Sequence, residues 1–289
     1  MSKKLRAAIL GTGIIATDLL IKLQRSDLIE CSVFIGRREG SETMKIAQSL
    51  GVPTSARGIE AIIENPDICD IVFDATSAGA HLIHAPILEK LGKLTLDLTP
   101  SKYGKMCAPT INLDDCLSSP NINFITCAGQ ASIPIAHAIS TIHPDIKYFE
   151  IVTANPAKAV GMGSRENVDE YVHTTSDATV LFTGAQVCKI LPTLNSAEPP
   201  TTMRNTIYAL VDNPDMDSII RVIAETEKKI KEFVPGYKVA FGPTYEKGCI
   251  VTAIEVEGAG DYLPKYSGNL DIINCAAIKA AEGYAKRVL

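Results

Sequence analysis

Gly11-Thr12-Gly13-Ile14-Ile15-Ala16 is the stretch from which the fold is read. It has the form G-x-G-x-x-G/A. It follows residues 5–10, an apolar run that predicts a strand, and opens residues 14–23, whose apolar spacing predicts a helix. Each position then has a physical task. Gly11 permits a tight turn, Gly13 lets the backbone approach a pyrophosphate, and Ala16 keeps the helix close to the strand. The helix N-terminus offers unpaired N–H groups to phosphate. The competing reading is a plain glycine-rich turn.

Working outward, strands and helices alternate. Residues 29–35, 71–75, 94–98 and 122–126 read as strands, and residues 43–50 and 78–91 as helices. That alternation implies right-handed crossovers and a doubly wound parallel sheet of Rossmann type over residues 1–130. The character changes after about residue 131. Residues 146–153, 203–211 and 249–256 predict longer strands, and residues 218–234 an amphipathic helix that Asp217 caps and Pro235-Gly236 ends. A second, α+β domain is therefore expected over residues 131–264, with an antiparallel or mixed sheet. The alanine-rich helix in residues 265–289 is expected to complete the first domain.

Composition narrows the function. With 28 Lys+Arg against 33 Asp+Glu, the net charge of -5 disfavours phosphate-backbone binding driven by bulk charge. Hydrophobic residues at 46% exclude a disordered chain. No apolar run reaches the roughly 20 residues needed to span a bilayer. The start, MSKKLRAAILGTG, faintly echoes a signal peptide but breaks at Gly11 and Gly13. The eight cysteines contain no CxxC pair, which fits reduced thiols in a cytoplasmic protein.

Two segments carry candidate chemistry. After the second strand an NAD enzyme usually places Asp or Glu against the ribose. This chain has Gly36-Arg37-Arg38-Glu39-Gly40-Ser41. Arg37, Arg38 and Ser41 suit a 2′-phosphate, which favours NADP, whereas Glu39 is still able to bind a ribose and the turn is equally readable as a solvated basic one. The second segment is Ile125-Thr126-Cys127-Ala128-Gly129-Gln130-Ala131, between a strand and a helix. The helix N-terminus is expected to lower the Cys127 pKa. A thiolate beside a nicotinamide suggests addition to an aldehyde, hydride loss and a thioester, with Gln130 or backbone N–H groups holding the oxyanion. The plain alternative is a buried structural cysteine.

Longer stretches are more specific: Asp74-Ala75-Thr76-Ser77-Ala78-Gly79-Ala80-His81, Leu96-Asp97-Leu98-Thr99-Pro100, Thr126 through Pro134, Arg165-Glu166-Asn167-Val168-Asp169-Glu170, Ala197-Glu198-Pro199-Pro200, Val234-Pro235-Gly236-Tyr237, Glu255-Val256-Glu257-Gly258, and Tyr262-Leu263-Pro264 through Gly268-Asn269-Leu270-Asp271-Ile272. In these the whole chain resembles acetaldehyde dehydrogenase (acylating), the CoA-dependent enzyme of meta-cleavage pathways in aromatic catabolism that partners 4-hydroxy-2-oxovalerate aldolase. The resemblance implies an acyl-thioester at Cys127, NAD or NADP as cofactor, and a small aldehyde and coenzyme A as substrates. It implies cofactor contacts at Thr12, Gly13, Ile14 and Ile15, at Ala159, Val160, Gly161, Met162, Gly163, Ser164, Arg165, Glu166 and Asn167, and at Asn269. It also implies that residues 131–264 make a homodimer or higher homo-oligomer, and a class II aldolase as partner.

Four departures mark a divergent member. An acidic residue of the family is Arg38 here. The family's Met-Arg-Asp-Thr is Met203-Arg204-Asn205-Thr206, and the Asp is its general base; a neutral amide takes no proton, although Asn205 is able to orient a water or the thiol. Its plainer role is a strand hydrogen bond. The first-turn Asn is Ile14, and Ser-Ala-Gly-Pro-Gly is Ala159-Val160-Gly161-Met162-Gly163. The chain is also shorter near residues 238–249. Two other functions compete: a phosphate-dependent semialdehyde dehydrogenase, for which Arg165 and Arg204 are the only phosphate candidates, and a catalytically impaired dinucleotide-binding partner of an aldolase. His81 and His84 are spaced to share a helix face, but no third ligand stands at a metal-site spacing, so no metal is expected.

Overall fold

Leu5–Leu10 forms the first strand, β1, with every side chain but Arg6 buried. A strand covered on both faces reads as a continuous apolar run, which is why its sequence does not alternate. The computed structural model describes residues 4–161, 165 and 167–289. After β1 come α1 (Ile14–Leu23), β2 (Ile29–Ile35), α2 (Glu42–Ser49), β3 (Thr54–Ser55), α3 (Glu60–Glu64), β4 (Ile71–Asp74), α4 (Ala78–Lys90), β5 (Leu94–Asp97), β6 (Lys105–Met106), α5 (Pro109–Cys116) and β7 (Asn121–Asn123). The strands form one sheet in the order β3-β2-β1-β4-β5-β7-β6, and every pairing is parallel. Strand order reverses between β1 and β4. In such sheets a crevice opens beyond the carboxyl ends of the strands at this point.

The second unit holds α6 (Cys127–Ile142), β8 (Tyr148–Pro156), α7 (Val168–Thr183), β9 (Val187–Asn195), β10 (Met203–Leu210), α8 (Met216–Lys231), β11 (Tyr237–Glu246) and β12 (Cys249–Val256). Its sheet runs β11-β12-β10-β8-β9. It is mixed: β8 and β9 are parallel and the other pairs antiparallel. Burial alternates along β8, β10 and β12, so one face carries the core and the other stays open. On the core side Tyr237 is fully buried and donates its hydroxyl to Ala131 O at 2.8 Å. Lys247 and Gly248 both have positive φ, 50° and 82°, and close the β11–β12 hairpin in two residues.

The units are discontinuous. One comprises Met1–Phe124, Asp261–Leu263 and Asn274–Leu289, the other Ile125–Gly260 and Pro264–Ile273. The boundary falls before Ile125, so α6 lies wholly in the second unit. The last helix, α9 (Gly268–Val288), begins in the second unit and ends in the first. Within the first unit Asn274 Nδ2 donates to Asp18 Oδ2 at 2.9 Å and to Ile15 O at 3.2 Å, and Ser26 Oγ donates to Glu282 Oε1 at 2.7 Å. Asp261 takes the buried Lys22 ammonium at 2.6 Å.

Candidate active site

In the first unit the crevice is a cavity of about 520 Å³ lined by the turns after β1, β2, β3 and β4. Gly11 has φ +120°, and a Cβ there would lie 2.6 Å from Ala75 O, so only glycine lets β1 and β4 deliver their turns side by side. At Gly36 a Cβ would meet Thr12 Cγ2 at 2.4 Å, which brings the β2 turn onto the first glycine loop. Gly13 faces open space, with nothing within 4 Å of where its Cβ would be. It is also the N-cap of α1 and supplies no side-chain cap. A bare helix start behind an open glycine is the cradle that a diphosphate fits. Thr12 and Gly13 line the cavity; Ile14, partly exposed at 40%, and Ile15 do not. Of the basic turn, Arg37 lines it, whereas Arg38 and Ser41 do not, and the Ser41 hydroxyl caps α2 by accepting from Met44 N.

Beneath the β4 turn lies a buried polar network. His81 Nδ1 and His84 Nδ1 donate to Asp74 Oδ2 at 2.9 and 3.0 Å, and Asn121 Nδ2 donates to His81 Nε2 at 3.0 Å. Burial works to raise the Asp74 carboxyl, but the hydrogen bonds from His81, His84 and Thr76 outweigh it and bring the pKa down to about 2. Burial disfavours the charged His81 ring, yet Asp74 and Asp97 carry its pKa upward. Asp97 is pushed up by burial despite Ser101 and Thr99. His81 is thus fully buried and satisfied, and it is His84 that lines the cavity. Among the described residues no group of three or more His, Cys, Asp or Glu side chains is placed to hold a metal.

The thiol centre lies in the second unit. Cys127 is the first residue of α6, and the preceding Thr126 caps the helix by accepting from Gly129 N at 3.0 Å. Ile125 has φ +62°, a strained backbone for a β-branched residue. Gly129 makes room for it, since a Cβ there would lie 2.7 Å from Ile125 Cγ2. Two bonds tie this turn to α7: Thr126 Oγ1 to Thr175 Oγ1 at 2.6 Å, and Cys127 Sγ to Tyr171 Oη at 3.6 Å. Burial pushes the Cys127 thiol above its ordinary value, and the Tyr171 hydroxyl and the N–H groups of Ala128 and Cys127 pull it back only in part. This corrects the expected lowering. The helix terminus acts in the anticipated direction, but desolvation of the thiolate is larger. Tyr171 is itself well above the usual phenol range through burial and the neighbouring thiol, so it keeps its proton and serves as donor.

Asn205 sits on the core face of β10, and its Nδ2 donates to Ser132 Oγ on α6 at 2.8 Å. Its Oδ1 is buried with no partner among the described residues. Gln130 is buried on α6 and bonds its backbone N–H to Thr126 O. Ala159 and Asn269 come together, Asn269 Nδ2 donating to Ala159 O at 3.1 Å. Arg165 folds back on its own loop, donating to Val160 O and Ala157 O, each at 3.0 Å. Arg204 points from the open sheet face to Glu255. Both arginines thus hold partners of their own, Arg165 two backbone carbonyls and Arg204 the Glu255 carboxylate. Val160 and Gly161 lie in that loop, and Asn167 is the N-cap residue of α7, its side chain making no capping hydrogen bond. Met162, Gly163, Ser164 and Glu166, expected at the cofactor, lie outside the described residues. Tyr171 was missed from the sequence, where only its i, i+4 spacing to Thr175 hinted at a shared face.

A family model described as prokaryotic acetaldehyde dehydrogenase, dimerisation, matches residues 127–264. An acetaldehyde dehydrogenase of Pectobacterium atrosepticum is 49% identical, over 98% of this chain and 96% of that protein. The chain belongs to the acetaldehyde dehydrogenase family. Members from Spirochaeta aurantia and Geobacillus stearothermophilus are 49% and 46% identical over 99% of this chain, covering 96% and 98% of theirs. The chain is thus an oxidoreductase of the acetaldehyde dehydrogenase family, and the phosphate-dependent reading is not favoured. The crystal structure of aspartate semialdehyde dehydrogenase II from Vibrio cholerae superposes with a TM-score of 0.61 over 99% of this chain and 100% of that one, at 13% identity, which establishes a shared fold. No described helix is long and apolar enough to cross a membrane.

Proposed function

We propose that this protein is a CoA-acylating dehydrogenase of acetaldehyde or another small aldehyde, working through a Cys127 thioester. The observation that carries the reading is the thiol at the head of α6, on a strained turn, with a tyrosine donor 3.6 Å away. Cys127 releases its proton to solvent water as substrate binds, and Tyr171 donates to the resulting thiolate. The thiolate adds to the aldehyde carbon, and the N–H groups that open α6, with Gln130, take the charge that grows on oxygen. Thr12 and Gly13, which line the cavity, would hold the diphosphate of a nicotinamide dinucleotide, and that group would supply the two-electron oxidant when bound. Coenzyme A then displaces the acyl group from Cys127 and restores the thiol. Asn205 contributes through Ser132 on the same helix and does not act as a base.

The open face of the second sheet, where Val152, Leu191, Tyr208 and Val251 are half-buried and Val187 and Leu210 exposed, suits pairing with a second copy. Eight free thiols fit a cytoplasmic setting. An aldolase that releases the aldehyde is the partner implied by the resemblance, and co-purification tests it.

The test is reduction of NAD and NADP with acetaldehyde and longer aldehydes, with and without CoA, in the wild type and Cys127→Ala. Turnover is expected to need both CoA and Cys127. Dinucleotide binding without turnover on any aldehyde would overturn the reading in favour of an impaired binding partner.

A further inference from the structure

The cavity in the first unit has a second cationic arm. Arg57, on the turn between β3 and α3, lines it together with Arg37, and no Asp or Glu is among the described lining residues. The two arginines are held in register by backbone. Gly36 N donates to Ser55 O at 2.8 Å, and Gly58 N donates to Gly36 O at 2.9 Å, so the β3 turn brackets the residue before Arg37. The Arg37 stem passes over Gly58, whose Cβ would sit 3.8 Å from Arg37 Cγ. Arg37 makes no ion pair among the described residues. The Arg57 guanidinium pairs with Glu64 on α3, and both side chains are exposed. An exposed pair of this kind is worth little and yields readily to a better anion.

We infer that Arg37 and Arg57 form a two-armed clamp that selects the 2′-phosphate of NADP, with Glu64 occupying Arg57 until the phosphate displaces it. This rests on the reading of the cavity as the dinucleotide site. The β2 end is where a carboxylate would accept from the ribose hydroxyls of NAD. Here that position offers Gly36 and Arg37, and the neighbouring turn adds a second guanidinium instead of an acceptor. A dianionic phosphoryl group matches two planar, multiply donating cations, whereas an unmodified ribose leaves Arg37 without a charged partner and Arg57 on Glu64. The determinant therefore includes a residue that the β2 sequence alone does not contain.

Calorimetric titration tests this without turnover. NADP, NAD, 2′,5′-ADP and 5′-AMP are titrated into the wild type, Arg57→Ala and Glu64→Gln. NADP and 2′,5′-ADP are expected to bind the wild type more tightly than NAD and 5′-AMP. Arg57→Ala should weaken the two 2′-phosphorylated ligands by about tenfold or more, the factor carried by one charge-assisted hydrogen bond, with NAD at its wild-type affinity. Glu64→Gln should tighten NADP and leave NAD unmoved. Equal losses of NAD and NADP in Arg57→Ala, or no loss of either, would overturn the clamp while leaving the dinucleotide site intact. A wild type that binds none of the four would overturn the reading of the cavity itself.

Discussion

Tyr171→Phe removes one atom from the thiol centre and nothing from its packing. The hydroxyl stands 3.6 Å from Cys127 Sγ, and with the opening N–H groups of α6 it opposes the desolvation that lifts the thiol. Hydrogen bonds to a charged group contribute about 1.5–3 kcal/mol, and a long contact to sulfur belongs at or below the bottom of that range. A change of about 1.4 kcal/mol is a factor of ten in a protonation equilibrium, so the variant should raise the Cys127 pKa further. Thiolate at neutral pH then falls about tenfold. The assay is alkylation by iodoacetamide between about pH 6 and 11, followed on the peptide containing Cys127 so that the other cysteines do not contribute; the pH range brackets the ordinary thiol value. The reactivity profile should move to higher pH, with the limiting rate at high pH preserved. A profile that stays in place, or moves to lower pH, would refute the assignment of Tyr171 as donor.

Three other outcomes follow from the same geometry. Asp74 is fully buried and its carboxyl is held at about 2, below the 3.8 of a free aspartate, so it contributes stability above the unfolded value that is lost as pH falls through the folded one; the difference amounts to about 2–3 kcal/mol. Acid denaturation followed by circular dichroism should therefore lose a component between about pH 4 and 2 that is missing in Asp74→Asn, and identical acid profiles would count against it. Gly129→Ala drives a Cβ to 2.7 Å from Ile125 Cγ2 and should cost about 1–3 kcal/mol in thermal unfolding, with a larger loss of Cys127 reactivity than of stability; an unchanged melting curve would show that the turn is not held as described. Asn205→Asp places a carboxylate on the core face of β10, where Ser132 is able to donate to it, and should raise CoA-dependent turnover; equal or lower turnover would show that a carboxylate there does not serve as a base.

Much of the first unit was legible because local patterning and tertiary role coincide there. Residues 5–10, 14–23 and 29–35 form the elements that the apolar runs and the glycine motif predict. The strand expected over 122–126 stops at Asn123, because Ile125 turns into the left-handed region to launch the thiol helix, and a β-branched residue gives no warning of that. In the second unit β9 and β11 escaped notice. Pro192 interrupts one and Gly242-Pro243 the other, and much of their length is exposed, so neither shows a clean alternation. Cys127 stood out by its place between strand and helix, but its pKa depends on burial, which is a property of the folded surroundings. Tyr171 and Arg57 approach their partners through other elements, and no motif spans such distances.

The division of α9 between the units bears on how the protein is made. Residues 264–273 finish the second unit and residues 274–289 the first, after more than a hundred intervening residues of the other. Asn274 and Glu282 supply partners to Asp18, Ile15 and Ser26, close to the glycine loop. An N-terminal sheet emerging from the ribosome thus waits for residues 274–289 before its first helix is fully buttressed. The second unit has all its residues once Ile273 is made, whereas the first still lacks residues 274–289, so the thiol turn's own unit is complete before the glycine loop is fully buttressed.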